Sequence, residues 1–332
     1  IQFLEQLYLE EKDFANLVAM YKKELDFTSS EERQKLCLWE IAKLEEEQLH
    51  HPEEAITYYN HVLLMDSKHL NSLKALRRLY RDQKEWVELS EVLENEALIT
   101  DDPLMKADLF LSLGELMREQ FHDQEQAIPQ FWRALEYNQG YLKAITSLVE
   151  VYLEQKEWAK AIMVLEMEIK YTLDKQIRVE RLTQIGELYR QSLSDIDKAQ
   201  NSYEKALELN VNHLPAILPL AQIIYHQKNW ELSVKLLAQS LQITLEPPEK
   251  AKILYQLGDA YQQLEKTDLA LLHYREAYHL VPEYLPNLKA LGALYVRFEK
   301  WPLAREIFER MTPLLSSGSS SELYETALFQ LA

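Results

Sequence analysis

Nine histidines and one cysteine are the residues here that most directly invite a search for metal or nucleophilic chemistry, and neither set has the spacing such chemistry needs. His50 and His51 are adjacent, beside Glu53 and Glu54. Neighbouring positions do not share a helix face, and no second histidine pair comes at ligand spacing, so a solvated turn is expected there. His69 and His213 stand two periods of a 72-residue repeat apart, and the same position holds Tyr141 and Tyr284 in the other copies. A position that exchanges histidine for tyrosine points to packing or a helix start rather than a ligand. Cys37, among Leu36, Leu38 and Ile41, reads as a small buried hydrophobe. A lone cysteine rules out an internal disulfide framework and any Cys-based zinc site. No Ser–His–Asp set, HExxH or glycine-rich phosphate loop is present. No catalytic, metal or cofactor residue is therefore assigned, and no enzyme activity is expected.

Composition narrows the partners. The 332 residues carry 36 Lys and Arg against 54 Asp and Glu, a net charge of −18, which argues against nucleic acid because phosphate binding needs clustered cations. Only six residues are glycine, where about 7% is usual. Hairpin-rich sheets, Rossmann loops and P-loops use glycine for positive φ or close phosphate approach, so these folds are disfavoured. No apolar run reaches the roughly 18 residues of a membrane span, and no leader is visible. A cytoplasmic setting is the expectation.

The elements that position the side chains come from an internal repeat. Trp86, Trp158, Trp230 and Trp301 recur at 72, 72 and 71 residues, with Phe14 one period earlier. Ala55, Ala127, Ala199 and Ala270 keep the same spacing, and Gly114, Gly186 and Gly258 recur at 72 with Ala42 before them. Each period splits into two halves, and each half reads as two amphipathic helices. Leu254, Leu257 and Tyr261 lie at three-and-four spacing, the pattern breaks at Glu265–Asp268, and it resumes at Leu269, Leu272, Ala277 and Leu280. Glycine within a helix costs roughly 0.8–1 kcal/mol against alanine, so its return marks a recurring close contact. The aromatic series lies where the second helix begins and reads as inter-repeat core.

Leu254, Leu257, Gly258, Tyr261, Ala270, Tyr274, Ala277 and Pro282 occupy the eight signature positions of the tetratricopeptide repeat, and the chain resembles that family throughout its length. Leu182, Ile185, Gly186, Tyr189, Ala199, Tyr203 and Ala206 match as well, and Phe110, Leu113, Gly114, Ala127, Phe131 and Ala134 match less completely. The two-repeat period resembles that of long bacterial arrays linked to motility or envelope assembly. The resemblance implies an all-α solenoid, a right-handed superhelix of helix-turn-helix hairpins whose A helices face a concave groove. The repeats fall at 1–27, 31–66, 67–100, 104–138, 139–173, 176–210, 211–246, 249–282 and 283–316, with a partial tenth at 319–332 and a looser inter-repeat loop at 316–321. Both ends fall within repeats, so the chain reads as one continuous array from a longer protein. Core-type residues there (Phe3, Leu4 and Leu7; Leu328, Phe329 and Leu331) are expected to fray or pair with a second copy.

The function implied by this resemblance is a scaffold that binds a partner protein or peptide in the groove; the alternative is a substrate-recruiting module of a larger enzyme. By register, Asp108, Glu115, Glu119, Glu150, Glu154, Glu180 and Glu187 face the groove against Arg118, Lys143 and Arg190. Seven acids against three bases suit a partner with a basic segment. A cationic patch of Lys74, Arg78 and Arg81 lies to the N-terminal side, Trp39 is a candidate anchor, and Tyr255 and Asp259 are further groove positions. The Lys and Asn set with which some relatives clamp an acidic chaperone tail is not reproduced. Glu115, Glu150 and Glu187 are expected to form one strip, whose joint change to Gln would weaken a basic partner and leave thermal stability unchanged.

Overall fold

The computed structural model describes residues 2–242 and 246–315, and among these it is all-α, with no strand. The chain divides into two compact units, residues 1–171 and 172–332. Unit 1 contains five helical hairpins. Their helices are α1 (Gln2–Glu11) and α2 (Phe14–Phe27), α3 (Glu31–Glu47) and α4 (Pro52–Met65), α5 (Leu70–Gln83) and α6 (Trp86–Ile99), α7 (Pro103–Glu119) and α8 (Gln124–Tyr137), and α9 (Leu142–Glu154) and α10 (Trp158–Tyr171). Unit 2 contains α11 (Lys175–Glu187), extended by a π-turn at Leu188–Ser192, with α12 (Ile196–Leu209). It continues with α13 (Leu214–His226) and α14 (Trp230–Ser240), α15 (Pro247–Gln263) and α16 (Thr267–Leu280), and α17 (Leu285–Arg297) and α18 (Trp301–Met311). Within each unit a helix packs on its predecessor and its successor, which makes each unit an α-solenoid whose stability is close to a sum over neighbouring hairpins. The 316–321 loop, the partial tenth repeat and Leu328, Phe329 and Leu331 lie outside the described residues.

Local chemistry sets the helix starts. Asp13, Ser30, Asp102, Asp123, Asp174, Asp195 and Asn229 each cap a helix by accepting a backbone N–H two or three residues on. His69, Tyr141, His213 and Tyr284 occupy the same cap position of α5, α9, α13 and α17, which accounts for their exchange. Phe14, Trp86, Trp158, Trp230 and Trp301 are the first residues of their helices. Phe14, Trp86, Trp158 and Trp230 are half-buried and Trp301 is exposed at 36%, so none of the rings is core. The first turn of a helix has one side on its partner and the other in water, as where Trp230 meets Tyr225 edge-on at 5.6 Å.

Each hairpin turns through one non-glycine residue at positive φ: Lys12, His50, Lys84, His122, Lys156, Ser194, Lys228, Glu265 and Glu299, all between 54° and 61°. The next residue returns its N–H to a carbonyl in the last turns of the first helix, as in Glu85 to Tyr80 at 2.9 Å and Lys300 to Tyr295 at 2.8 Å. The scarcity of glycine therefore does not mean a scarcity of positive φ. A left-handed L-residue costs about 1–2 kcal/mol. A lysine there recovers part of this because a cation favours a helix C-terminus, whereas a glutamate adds to the cost. Glu265→Gly is therefore expected to raise the stability of unit 2 by about 1 kcal/mol, and Lys84→Gly to raise that of unit 1 by less, in urea unfolding with unchanged slope.

Candidate functional site on the first-helix face

The first helices of the hairpins carry the candidate residues. The second-neighbour contacts α7–α9 and α15–α17 are both between first helices, as the inner side of a stacked curve requires. Polar links cross this face from one hairpin to the next. Arg78 on α5 donates to Glu46 on α3, the Tyr141 hydroxyl to Asp108 on α7, and Arg118 Nη1 to Glu150 Oε2 at 2.6 Å between α7 and α9. In unit 2 the Tyr225 hydroxyl donates to Asp259 on α15. The helix-start rings also reach back to the preceding first helix, His69 to Trp39 at 5.0 Å and Tyr284 to Tyr255 at 5.6 Å.

The two units present different charges. In unit 1, Trp39 is half-buried between Tyr59 and His69 and lines a cleft of ≈ 420 Å³ with Ser30, Glu32, Arg33, Lys35 and Leu36. Its two cations are already paired, Arg33 with Glu24 at 2.6 Å and Lys35 with Asp66 at 2.9 Å. Lys74 is half-buried, and Arg78 and Arg81 are exposed on α5. Asp108, Glu119, Glu150 and Glu154 are exposed; Arg118 reaches Glu119 at 3.7 Å as well as Glu150, and Gln124 donates to Glu154. Glu115 is half-buried. Burial raises its carboxyl above the usual range, Glu119 adds to the rise, and Arg118, Lys143 and Arg81 oppose it. Cys37 is fully buried, and burial pushes its thiol up to about 11, which removes it as a nucleophile at neutral pH.

In unit 2, Glu187 is clasped from three sides. Arg190 Nη2 donates to it at 2.7 Å, the Tyr203 hydroxyl at 2.6 Å, and Gln191 also donates. Burial alone would raise its carboxyl, but the Arg190 and Tyr203 bonds hold it below the usual range. Glu187 thus fastens the end of α11 to the α12 ring, and its change to Gln should lower thermal stability, contrary to the expectation for the three-residue strip. Beside it opens a cleft of ≈ 680 Å³ between α11 and α13, lined by Glu180, Thr183, Gln184, Glu187, Arg190, His213, Pro215, Leu218 and Pro219. Burial lowers the affinity of His213 for a proton, so the ring is neutral at pH 7. Tyr255 and Asp259 are half-buried on the next first helix. The helix-start rings and the clasp on Glu187 are features of this face that the register of acids and bases does not announce. The 72-residue series of the rings is a signal for the former; the latter depends on rotamers.

Two family models, both described as tetratricopeptide repeat, match residues 214–283 and 179–213. The general transcriptional corepressor ssn6 of Schizosaccharomyces pombe is 32% identical over 131 residues, 39% of this chain and 12% of that protein. The match thus spans far less than two thirds of the relative's length. Among solved structures, YrrB, described as a TPR protein with an unusual peptide-binding site, is 18% identical with a TM-score of 0.41, covering 55% of this chain and 91% of YrrB. MamA from Desulfovibrio magneticus RS-1 is 24% identical with a TM-score of 0.43 over 54% of this chain and 97% of its own. PilF of Pseudomonas aeruginosa is 18% identical with a TM-score of 0.38 over 66% and 94%. No helix among the described residues is long and apolar enough to cross a membrane.

Proposed function

Because this chain is an array of tetratricopeptide repeats, we propose that it is a protein–protein interaction scaffold that holds an extended partner segment against the first-helix face, with basic side chains opposite its acids. The cleft between α11 and α13 carries this reading. It is large enough for one or two side chains, and it joins an apolar floor (Pro215, Leu218 and Pro219) to the exposed carboxylate of Glu180, beside the Glu187–Arg190 pair. An apolar floor supplies affinity by burial, and charged rims select the partner and speed its arrival. In unit 1, the half-buried Glu115 offers a second acidic point beside the Arg118–Glu150 pair.

Peptide display against the purified chain tests the reading, with a photocrosslinking residue at Thr183 or Leu218 on the inner face and at Glu208 on α12 as control. Enriched peptides should combine basic and apolar side chains, crosslink at the first two positions and weaken as salt rises. Acidic peptides, or crosslinks at Glu208 alone, would refute it. Glu115→Gln should weaken a basic peptide held by unit 1 by only about 0.2–1 kcal/mol, the size of an exposed charge contact, and should leave that unit's melting temperature unchanged or slightly raised.

A further inference from the structure

One pair of positions on the first helices, three residues apart, holds an acid and a cation in copy after copy. It is Lys43 and Glu46 on α3, Glu115 and Arg118 on α7, and Glu187 and Arg190 at the end of α11. The fourth copy, on α15, holds Asp259 and Gln262. The acid is kept and the cation is lost. Gln262 does not replace it, since its Oε1 accepts from the Tyr274 hydroxyl at 3.3 Å. Unit 2 holds ion pairs such as Arg190–Glu187, Lys198–Asp195 and Arg305–Glu309, and Asp259 is in none of those found among the described residues. Its hydrogen-bond donor is a phenol, Tyr225.

A cluster of tyrosine rings adjoins this carboxylate. Tyr255, one turn before it on α15, meets Tyr284 at the start of α17 edge-to-face, at 5.6 Å and 89°. Tyr255 also lies 5.9 Å from the buried Tyr274, while Tyr225 approaches from α13. Phenols are protonated at neutral pH and burial raises all four further, so the rings add no competing negative charge. Electron-rich ring faces around an acid without a cation attract a cationic group, and a planar guanidinium can stack on a ring while its N–H groups reach the carboxylate.

We propose that Tyr225, Tyr255, Tyr284 and Asp259 form a cage for an arginine side chain presented by a partner peptide, which stands where Arg118 and Arg190 stand in the earlier copies. The proposal rests on the scaffold reading and gives it a specific contact. The array carries the cation on its own helix in the second copy, where Arg118 pairs with Glu150 and Glu119, and in the third, where Arg190 pairs with Glu187; in the fourth the partner supplies it.

The test uses the full chain and two blocked seven-residue peptides of Gly and Ser, one with a central arginine and one with citrulline, which has nearly the same shape and no charge. Binding is followed by the tyrosine ring signals in carbon–proton correlation spectra. The arginine peptide should shift the ring signals of Tyr225, Tyr255 and Tyr284 and bind about ten-fold or more tightly than the citrulline peptide. Gln262→Arg should place a cation beside Asp259, as Arg190 stands beside Glu187, and occupy the cage, reducing arginine-peptide binding about ten-fold while the chain stays folded. Asp259→Asn should reduce it similarly, and Tyr255→Phe, which keeps the ring, should change it less than two-fold. Equal binding of the two peptides, no ring shifts, or full affinity in Gln262→Arg would overturn the proposal. Displayed peptides crosslinking at Thr183 and Leu218 despite such a result would leave the scaffold standing without the cage; their failure to crosslink there would remove both.

Discussion

Arg77→Met is expected to destabilise unit 1 by about 3–5 kcal/mol at pH 7, while Glu96→Met, at the other end of the same ion pair, is expected to stabilise it by about 1 kcal/mol or more. Glu96 on α6 is 0% exposed, and Arg77 on α5 is its ion-pair partner at 3.1 Å. Neither Glu96 oxygen has an aligned hydrogen bond, so the pair has attraction without the directed bonds that offset desolvation. Removing the arginine strands a buried charge, whereas removing the glutamate lets the half-exposed arginine turn to water. Burial raises the Glu96 carboxyl above the usual range, against Arg77 and Lys74. A raised folded value means that its contribution is favourable below the unfolded value, near pH 4.5, and is lost as pH rises through the folded value. The Arg77→Met defect should therefore shrink towards pH 4, and Glu96→Met should flatten the pH dependence in that window. Urea unfolding at pH 4 and pH 7 checks both; an Arg77→Met defect of equal size at the two values would show that charge burial is not its cause.

The second large effect lies in the packing of first against second helices. A methyl added at Gly114 would stand 2.5 Å from Phe131 Cε1, and one at Gly258 the same distance from Tyr274 Cε1. Phe131 is fully buried, so Phe131→Ala should cost about 3–5 kcal/mol. Gly114→Ala alone should cost up to about 2 kcal/mol, because overpacking of about 1–3 kcal/mol exceeds the gain of about 1 kcal/mol in helix propensity. In the Phe131→Ala background the ring is gone, and the same change should become stabilising. Thermal melts of the four variants measure this reversal, and additive effects would exclude direct contact between the two positions. Ala42 and Tyr59 hold the equivalent positions of the first copy and are both buried, so the repeat takes a methyl and a ring there when the sequence has adjusted to them.

The helices, their pairing and the small residues where they cross follow from periodicity, because each hairpin buries one apolar stripe and its neighbours are its own near-copies. The turns were less legible. Glycine content stood in for positive φ, yet lysine, histidine, serine and glutamate take that conformation nine times. The neighbouring hydrogen bonds fix the backbone there whatever the side chain, and each tip bears a cost too small to exclude these residues. The acids on the first-helix face were readable as a register but not as a field. Arg118 with Glu150, and Arg190 with Tyr203 around Glu187, depend on side-chain reach between helices that no spacing specifies. The loss of a cation at Gln262 is visible in the register of the repeats. It acquires meaning only once the partners of the earlier copies are known.

The turn sequence Gln83–Lys84–Glu85–Trp86 recurs unchanged as Gln155–Lys156–Glu157–Trp158, with Lys84 and Lys156 both at the positive-φ tip, φ 61° and 59°. Excising residues 85–156 would therefore join Lys84 to Glu157 and leave a seam identical in letters to the original and matched to it in φ at the tip. At that joint length is a free variable: whole periods can be spliced out or copied in like links of a chain, without inventing a new junction.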